Sequence, residues 1–224
     1  FSLEYSTYTQ IGDPNKKERV LGNQILLNEG ITKSNYYAAQ IQQIMMVFAF
    51  TLGDTLQPMI LLDNKYYNIA KESAGSMNAS ILAIDLPVRI LLAPLYGALA
   101  DHFGRRPMFI YSIISLSLGF LTAPFHSKVF PGYMISRLLM VNGAICSLVL
   151  PFNADYVDNS SKGRAAGIAY TVGAGGALIA SAMLIIFQKL EFSLGKIYLI
   201  VGTIILVCGF LNSIWLKGGR TYYK

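Results

Sequence analysis

Residues 96–109 read YGALADHFGRRPMF, an acid, a histidine and two arginines set between two long apolar runs. The stretch is too polar to lie in hydrocarbon and too short to be a soluble domain, so it reads as a loop joining two buried segments. Its surroundings agree. Apolar residues make up 54% of the 224, charged residues only 13%, and mean hydropathy is +0.47. A soluble domain carries about 25% charged residues.

Several runs reach the roughly 20 residues that a membrane-spanning helix needs. Six spans are expected, at 38–62, 76–99, 107–124, 132–153, 165–187 and 196–216. They are continuous apolar runs, without the alternating polarity of barrel strands, so they are helices. Short connections make consecutive helices antiparallel neighbours. The expected fold is therefore an all-α membrane protein, one six-helix bundle over 38–216, between a polar segment 1–37 and a tail 217–224. The polar segment is expected to be solvated, with a short amphipathic helix over 18–29. The chain opens on Phe1 rather than Met, so a cleaved targeting peptide or further upstream residues are expected.

Basic residues set the expected orientation. Eleven of the 18 Lys and Arg fall on the side of both termini and the opening loop, five on the opposite side, and Arg89 and Arg137 lie inside spans. Both termini and the loop are therefore expected on the inner side, cytoplasmic or matrix, of a plasma or organelle membrane, the mitochondrial inner membrane included. The net charge of +6 is accounted for by this topology rather than by nucleic-acid binding. Cys146 and Cys208 fall within spans with no Cys/His cluster, which argues against metal or disulfide. No Ser/His/Asp set, pair of catalytic carboxylates or phosphate loop occurs, so the chain reads as a non-enzyme without a cofactor.

In its inner position between the second and third spans, GALADHFGRRP resembles the signature loop of the major facilitator superfamily, with Gly97, Asp101, Gly104, Arg105 and Arg106 in the matching places. The stretch SRLLMVNGAICSLVLPFNADYVDNSSKGRAAG is similar to that family's fourth helix and following loop, with its embedded arginine at Arg137, an acid at Asp155, and Lys162, Gly163 and Arg164 beyond. The lead-in LLNEGITKSNYYAAQ and FAFTLGDTLQP resemble the sugar, organic-ion and synaptic-vesicle branch, where an acid in the first helix is frequent; Asp54 stands there. Val141 replaces a usual glycine, and the fifth span lacks the Gly-Pro pair of drug/proton antiporters.

The resemblance implies one half of a fold built from two six-helix halves, with the solute between them at mid-membrane. A second half is then expected in the same chain or in another subunit. It also implies that Arg105 or Arg106 meets Asp155, and that Asp101 serves a helix start in the other half. Gly97, Asp101, Gly104, Arg105, Arg106, Asp155 and Arg164 form the expected conformational loop; a plain topology anchor is the alternative.

A charge within hydrocarbon costs from about 3 to over 10 kcal/mol, so such residues face a cavity or each other. Asp54, Asp85, Arg89 and Arg137 all lie at that depth. Asp85 and Arg89 share a helix face, either as a self-neutralising pair or as pathway-lining groups. Asp54 and Arg137 are the expected proton-coupling acid and its partner, with a static ion pair as the alternative. Gln40, Gln42, Gln43 and Gln57 give the first helix a polar side, and Gln57 is the candidate solute contact. Glycines 163, 167, 173, 175 and 176 are expected to serve helix packing, and Trp215 an interface anchor.

Two functions fit. One is half of a secondary active transporter, proton-coupled as a symporter, moving a small polar or ionic solute through a lipid bilayer. The other is a transport-inactive half-length relative acting as a structural subunit of a larger membrane complex, such as a mitochondrial respiratory one.

Overall fold

The computed structural model of the protein describes residues 18–218. Residues 1–17 of the polar segment and 219–224 of the tail lie outside the described residues. In chain order the elements are strands β1 (Arg19–Val20) and β2 (Ile25–Leu26), then helices α1 (Lys33–Leu62), α2 (Lys71–Phe103), α3 (Arg105–Thr122), α4 (Met134–Leu148), α5 (Phe152–Tyr156), α6 (Lys162–Lys189) and α7 (Leu194–Ser213). Among the described residues, six helical stretches are long and apolar enough to cross a membrane: Lys33–Leu62, Lys71–Phe103, Arg105–Phe125, Val129–Tyr156, Asn159–Lys189 and Leu194–Ser213.

The helices run past several expected boundaries because local capping, rather than the last apolar residue, ends them. Thr32 caps α1: its hydroxyl accepts from Asn35 N–H at 3.4 Å, while Asn35 Oδ1 accepts from Thr32 N–H at 2.9 Å. This reciprocal pair starts the helix a turn before the apolar run. Gly104 ends α2 and begins α3 with φ +97°, a backbone that glycine adopts without steric penalty. Pro107 then sits in the first turn of α3, where its missing N–H has no intrahelical acceptor to lose. α4 stops at Leu148, short of the expected 153, because Pro151 disfavours helix in the residue before it and lacks the N–H to continue.

Residues 18–29 correct one expectation. They form a β-hairpin, not an amphipathic helix, with Arg19 opposite Leu26 and Val20 opposite Ile25. Leu21, Gly22 and Asn23 hold φ values of 53°, 64° and 71°, which end any helix and which Gly and Asn tolerate best. Val20, Ile25, Leu27 and Ile31 are buried. Leu27 bridges to Val157, and Asp158 N–H donates to Leu26 O at 2.9 Å. Residues 18–31 are thus part of the packed bundle at its signature-loop end.

α3 packs chiefly on α4 and α7, α1 on α6, and α2 on α4. Two of these contacts are backbone-close. A Cβ at Gly143 would collide with Ser112 O and Leu116 on α3, and one at Gly176 with Ile44 O on α1. Gly173 also faces α1, but Gly163, Gly167 and Gly175 meet nothing. Leu86, Ile90 and Leu91 on α2 and Leu178 on α6 are exposed, a surface suited to hydrocarbon rather than water.

Candidate functional site

The four intramembrane charges form one network. Arg137 on α4 is buried and donates through Nη2 to Asp54 Oδ1 on α1 at 2.6 Å and through Nε to Asp85 Oδ2 on α2 at 2.8 Å. Arg89, one turn along α2, donates to the same Asp85 oxygen at 3.3 Å, and its guanidinium lies 4.7 Å from the Phe50 ring centroid. Two acids and two bases therefore neutralise each other across three helices. That balance is what makes burial affordable, since an isolated charge there costs at least about 3 kcal/mol.

The two acids differ in surroundings. The Asp85 side chain is 1% exposed and that of Asp54 is 40% exposed. At 1.5 Å per residue, Asp54 lies about 12 Å from the Leu62 end of α1, and Arg137 about 12 Å from the Val129 end of its span. Asp85 lies about 21 Å along α2 from its Lys71 end. The cavity between Phe50, Gly53, Asp54, Arg89 and Arg137 measures ≈ 10 Å³, no larger than a water requires.

Sequence reasoning anticipated two separate pairs, Asp54 with Arg137 and Asp85 with Arg89. It missed that Arg137 bridges both acids. Helical spacing pairs Asp85 with Arg89 and carries no signal for a contact on a third helix.

The glutamines of α1 have protein partners. Gln57 is buried and donates to Asn78 Oδ1 on α2 at 2.6 Å, Gln40 donates to Asn153 Oδ1 at 2.6 Å, and Gln42 to Ser147 Oγ at 2.8 Å. Gln57 thus ties α1 to α2 and does not line the small cavity beside Asp54. Gln43 instead lines a cleft of ≈ 410 Å³ between α1, α4 and α6, with Asn153, Lys162 and Tyr170.

At the signature-loop end a second polar cluster holds the helix termini. Arg105 Nε donates to Asp155 Oδ2 at 3.1 Å, and its Nη1 lies 2.6 Å from Asp101 Oδ1. Asp155 is 20% exposed and Asp101 71%, so the first pair is shielded and the second is screened by solvent. Arg106 does not take part through its side chain in a described ion pair; its N–H donates to Gly218 O at 3.1 Å. Arg164 reaches back to Gln24 O at 3.5 Å, and Asn28 donates to Asp155 O at 2.7 Å. Tyr156 OH donates to Lys217 O and accepts from Lys217 N–H at 2.8 Å. Gly97, one turn before Asp101, has open space around it. Trp215 is half exposed at this end, and its carbonyl accepts from Asn35 Nδ2 at 2.6 Å.

Six membrane-length apolar helices around a neutralised ion network define an integral, multi-pass membrane protein. The sequence profile of the Major Facilitator Superfamily matches residues 43–223, and the chain belongs to that family. Among its relatives, the class B tetracycline resistance protein of Escherichia coli is 30% identical over 94 residues, covering 42% of this chain and 23% of that protein. The class C tetracycline resistance protein of Escherichia coli is 26% identical over 103 residues, 45% of this chain and 25% of that one. The magnetosome protein MamH of Paramagnetospirillum magneticum is 24% identical over 133 residues, 55% and 30% respectively. The matched stretches thus cover less than a third of each of these relatives. No solved structure matches it. None of the three relatives is described as a sugar, organic-ion or synaptic-vesicle carrier, and membership holds for the family rather than for that branch.

Proposed function

We propose that the chain is part of a secondary active transporter that couples proton movement to that of a small polar or ionic solute. The observation that carries this reading is Arg137, buried between a fully buried acid and one whose side chain is 40% exposed. Asp54 is the proton-coupling acid: paired with Arg137 it is an anion, and when that contact opens in a low dielectric it takes a proton from the aqueous side. Asp85 and Arg89 keep Arg137 oriented in both states. The Arg105–Asp155 clasp, on the cytoplasmic or matrix side, fastens the ends of α3 and α5 while the other helices move. A second six-helix body, from the same chain or another subunit, completes the solute pathway.

The test is proton-driven uptake in proteoliposomes holding the complete carrier. Asp54→Asn is expected to abolish coupled proton movement while leaving the bundle folded. Coupled uptake that survives intact sinks the assignment. The competing reading, a transport-inactive subunit of a larger membrane complex, predicts no flux from wild-type protein and co-purification with that assembly.

A further inference from the structure

We infer that the cleft between α1, α4 and α6 is a binding site for a small organic anion, with its charge at one end, a hydrogen-bonding group at the other and an apolar body between. The inference goes beyond the transport reading. None of the four charges around Arg137 lines this cleft, and Gln43 lies about 16 Å along α1 from Asp54. Hydrogen-bonding groups that the protein itself does not use carry it. Gln40, Gln42 and Gln57 all donate to protein oxygens, whereas Gln43 has no hydrogen-bond partner among the described residues. Gly173 makes room for it on α6, where a Cβ would lie 3.4 Å from Gln43 Nε2. Lys162 and Tyr170 have no side-chain partner among the described residues either.

Asn153 Oδ1 accepts from Gln40, which leaves the Asn153 amide N–H groups to the cleft. Four side chains from α1, α5 and α6 thus bring unused donors to one space of ≈ 410 Å³, the size of a site for a small organic molecule. Lys162 is the one charged residue in the lining. The two acids of the loop before it are held elsewhere: Asp155 accepts from Arg105, and Asp158 from the N–H and hydroxyl of Ser160. A cation therefore meets a like charge and no carboxylate, while an anion meets an ammonium and amide donors.

The order of these groups along the cleft sets the shape of the ligand. Lys162 and Asn153 stand at the signature-loop end, where α6 begins. Tyr170 lies about 12 Å further along α6, and Gln43 about 15 Å along α1 from its Lys33 end. Ala166 and Ala169 come between Lys162 and Tyr170, and Leu148, Leu150 and Pro151 complete an apolar wall. A charged end at Lys162 and a polar far end at Gln43 and Tyr170 satisfy both. An anionic phospholipid satisfies only the first, because its acyl chain would lie against Gln43 and Tyr170 and leave them without an acceptor.

The experiment is calorimetric titration of the complete protein in phosphatidylcholine nanodiscs with 4-hydroxycinnamate, which has a carboxylate at one end and a phenol at the other. The comparison ligands are its neutral amide, cinnamate without the phenol, and tyramine as the cation. The carboxylate is expected to bind about two- to fivefold tighter than its amide, the gain of a solvent-screened ion pair. It should also bind tighter than cinnamate, with tyramine the weakest. Lys162→Gln should remove the preference for carboxylate over amide and keep that for the phenol, and Gln43→Leu should do the reverse. Equal or tighter binding of the amide or tyramine, no preference over cinnamate, an unchanged ranking in both variants, or no binding to the wild type each overturn the inference. Exchanging the lipid for phosphatidylglycerol at high ionic strength, where surface charge is screened, should leave binding in place. Loss of binding there would assign the cleft to a lipid headgroup and overturn the inference as well.

Discussion

Asp85 and Asp54 accept from one guanidinium, yet their removal should differ in consequence. Asp85→Asn leaves the partly buried Arg89 with no acid and the buried Arg137 with Asp54 alone, and breaking a buried pair costs about 3–5 kcal/mol. Asp54→Asn leaves Arg137 still bonded to Asp85, at a site that is 40% exposed, so the loss is expected at roughly 1 kcal/mol or less. Thermal unfolding in detergent should therefore show a much larger fall in Tm for Asp85→Asn. Equal falls would mean that Asp85 does not anchor the network. The contact between Asp54 and Arg137 was legible in the sequence, because opposite charges in hydrocarbon at similar depths have few other partners. The bridge to Asp85 was not, since helical spacing pairs Asp85 with Arg89 and says nothing about a third helix.

Helix contacts show the same boundary between what a pattern reveals and what it omits. Small residues on the fifth span marked a packing face, but Gly173 and Gly176 alone touch α1, while Gly163, Gly167 and Gly175 face open space. Periodicity gives a face and not the neighbour that covers it. The closest approach on α4 belongs to Gly143, against the Ser112 carbonyl. Gly143→Val must push α3 away from α4 and is expected to destabilise by about 1–3 kcal/mol. Gly167→Ala has room and improves helix propensity, so it should be neutral or stabilising by up to about 1 kcal/mol. Unfolding midpoints of the two variants check both signs. The hairpin was misread as a helix because a mixed polar and apolar run over 18–29 satisfies either period loosely; the deciding feature is the Leu-Gly-Asn-Gln turn, with three residues at positive φ. Gly22→Val should strain that turn by about 1–2 kcal/mol and raise hydrogen exchange at Leu27 and Asn28, whose amides bond Glu18 and Tyr156.

Across the described residues, ion pairs gather at two places: a neutral network within the membrane-length helices, and a clasp where chain segments far apart in sequence meet at the signature-loop end. The six-helix architecture was readable because hydrocarbon leaves few alternatives to helices of this length. The clasp was only partly readable. Arg105 and Asp155 carry recognisable motif positions, whereas the bonds from Asn28, Arg106 and Tyr156 run largely through backbone groups that leave no side-chain signature. Tyr156 is the test of whether the clasp acts as one unit. Its hydroxyl both donates to Lys217 O and accepts from Lys217 N–H, so Tyr156→Phe leaves two backbone groups without that partner, at about 1–3 kcal/mol for each that stays buried. Gly218, the next residue, accepts from Arg106 N–H, which begins α3 beside the Arg105–Asp155 pair. Loosening Lys217 should therefore release the Arg106 amide as well. Hydrogen exchange in Tyr156→Phe is expected to rise at Lys217 and at Arg106 together, with the amides around Arg137 unchanged. Faster exchange at Lys217 alone would show that the C-terminal segment and the signature loop open independently, and that the clasp does not transmit motion between them.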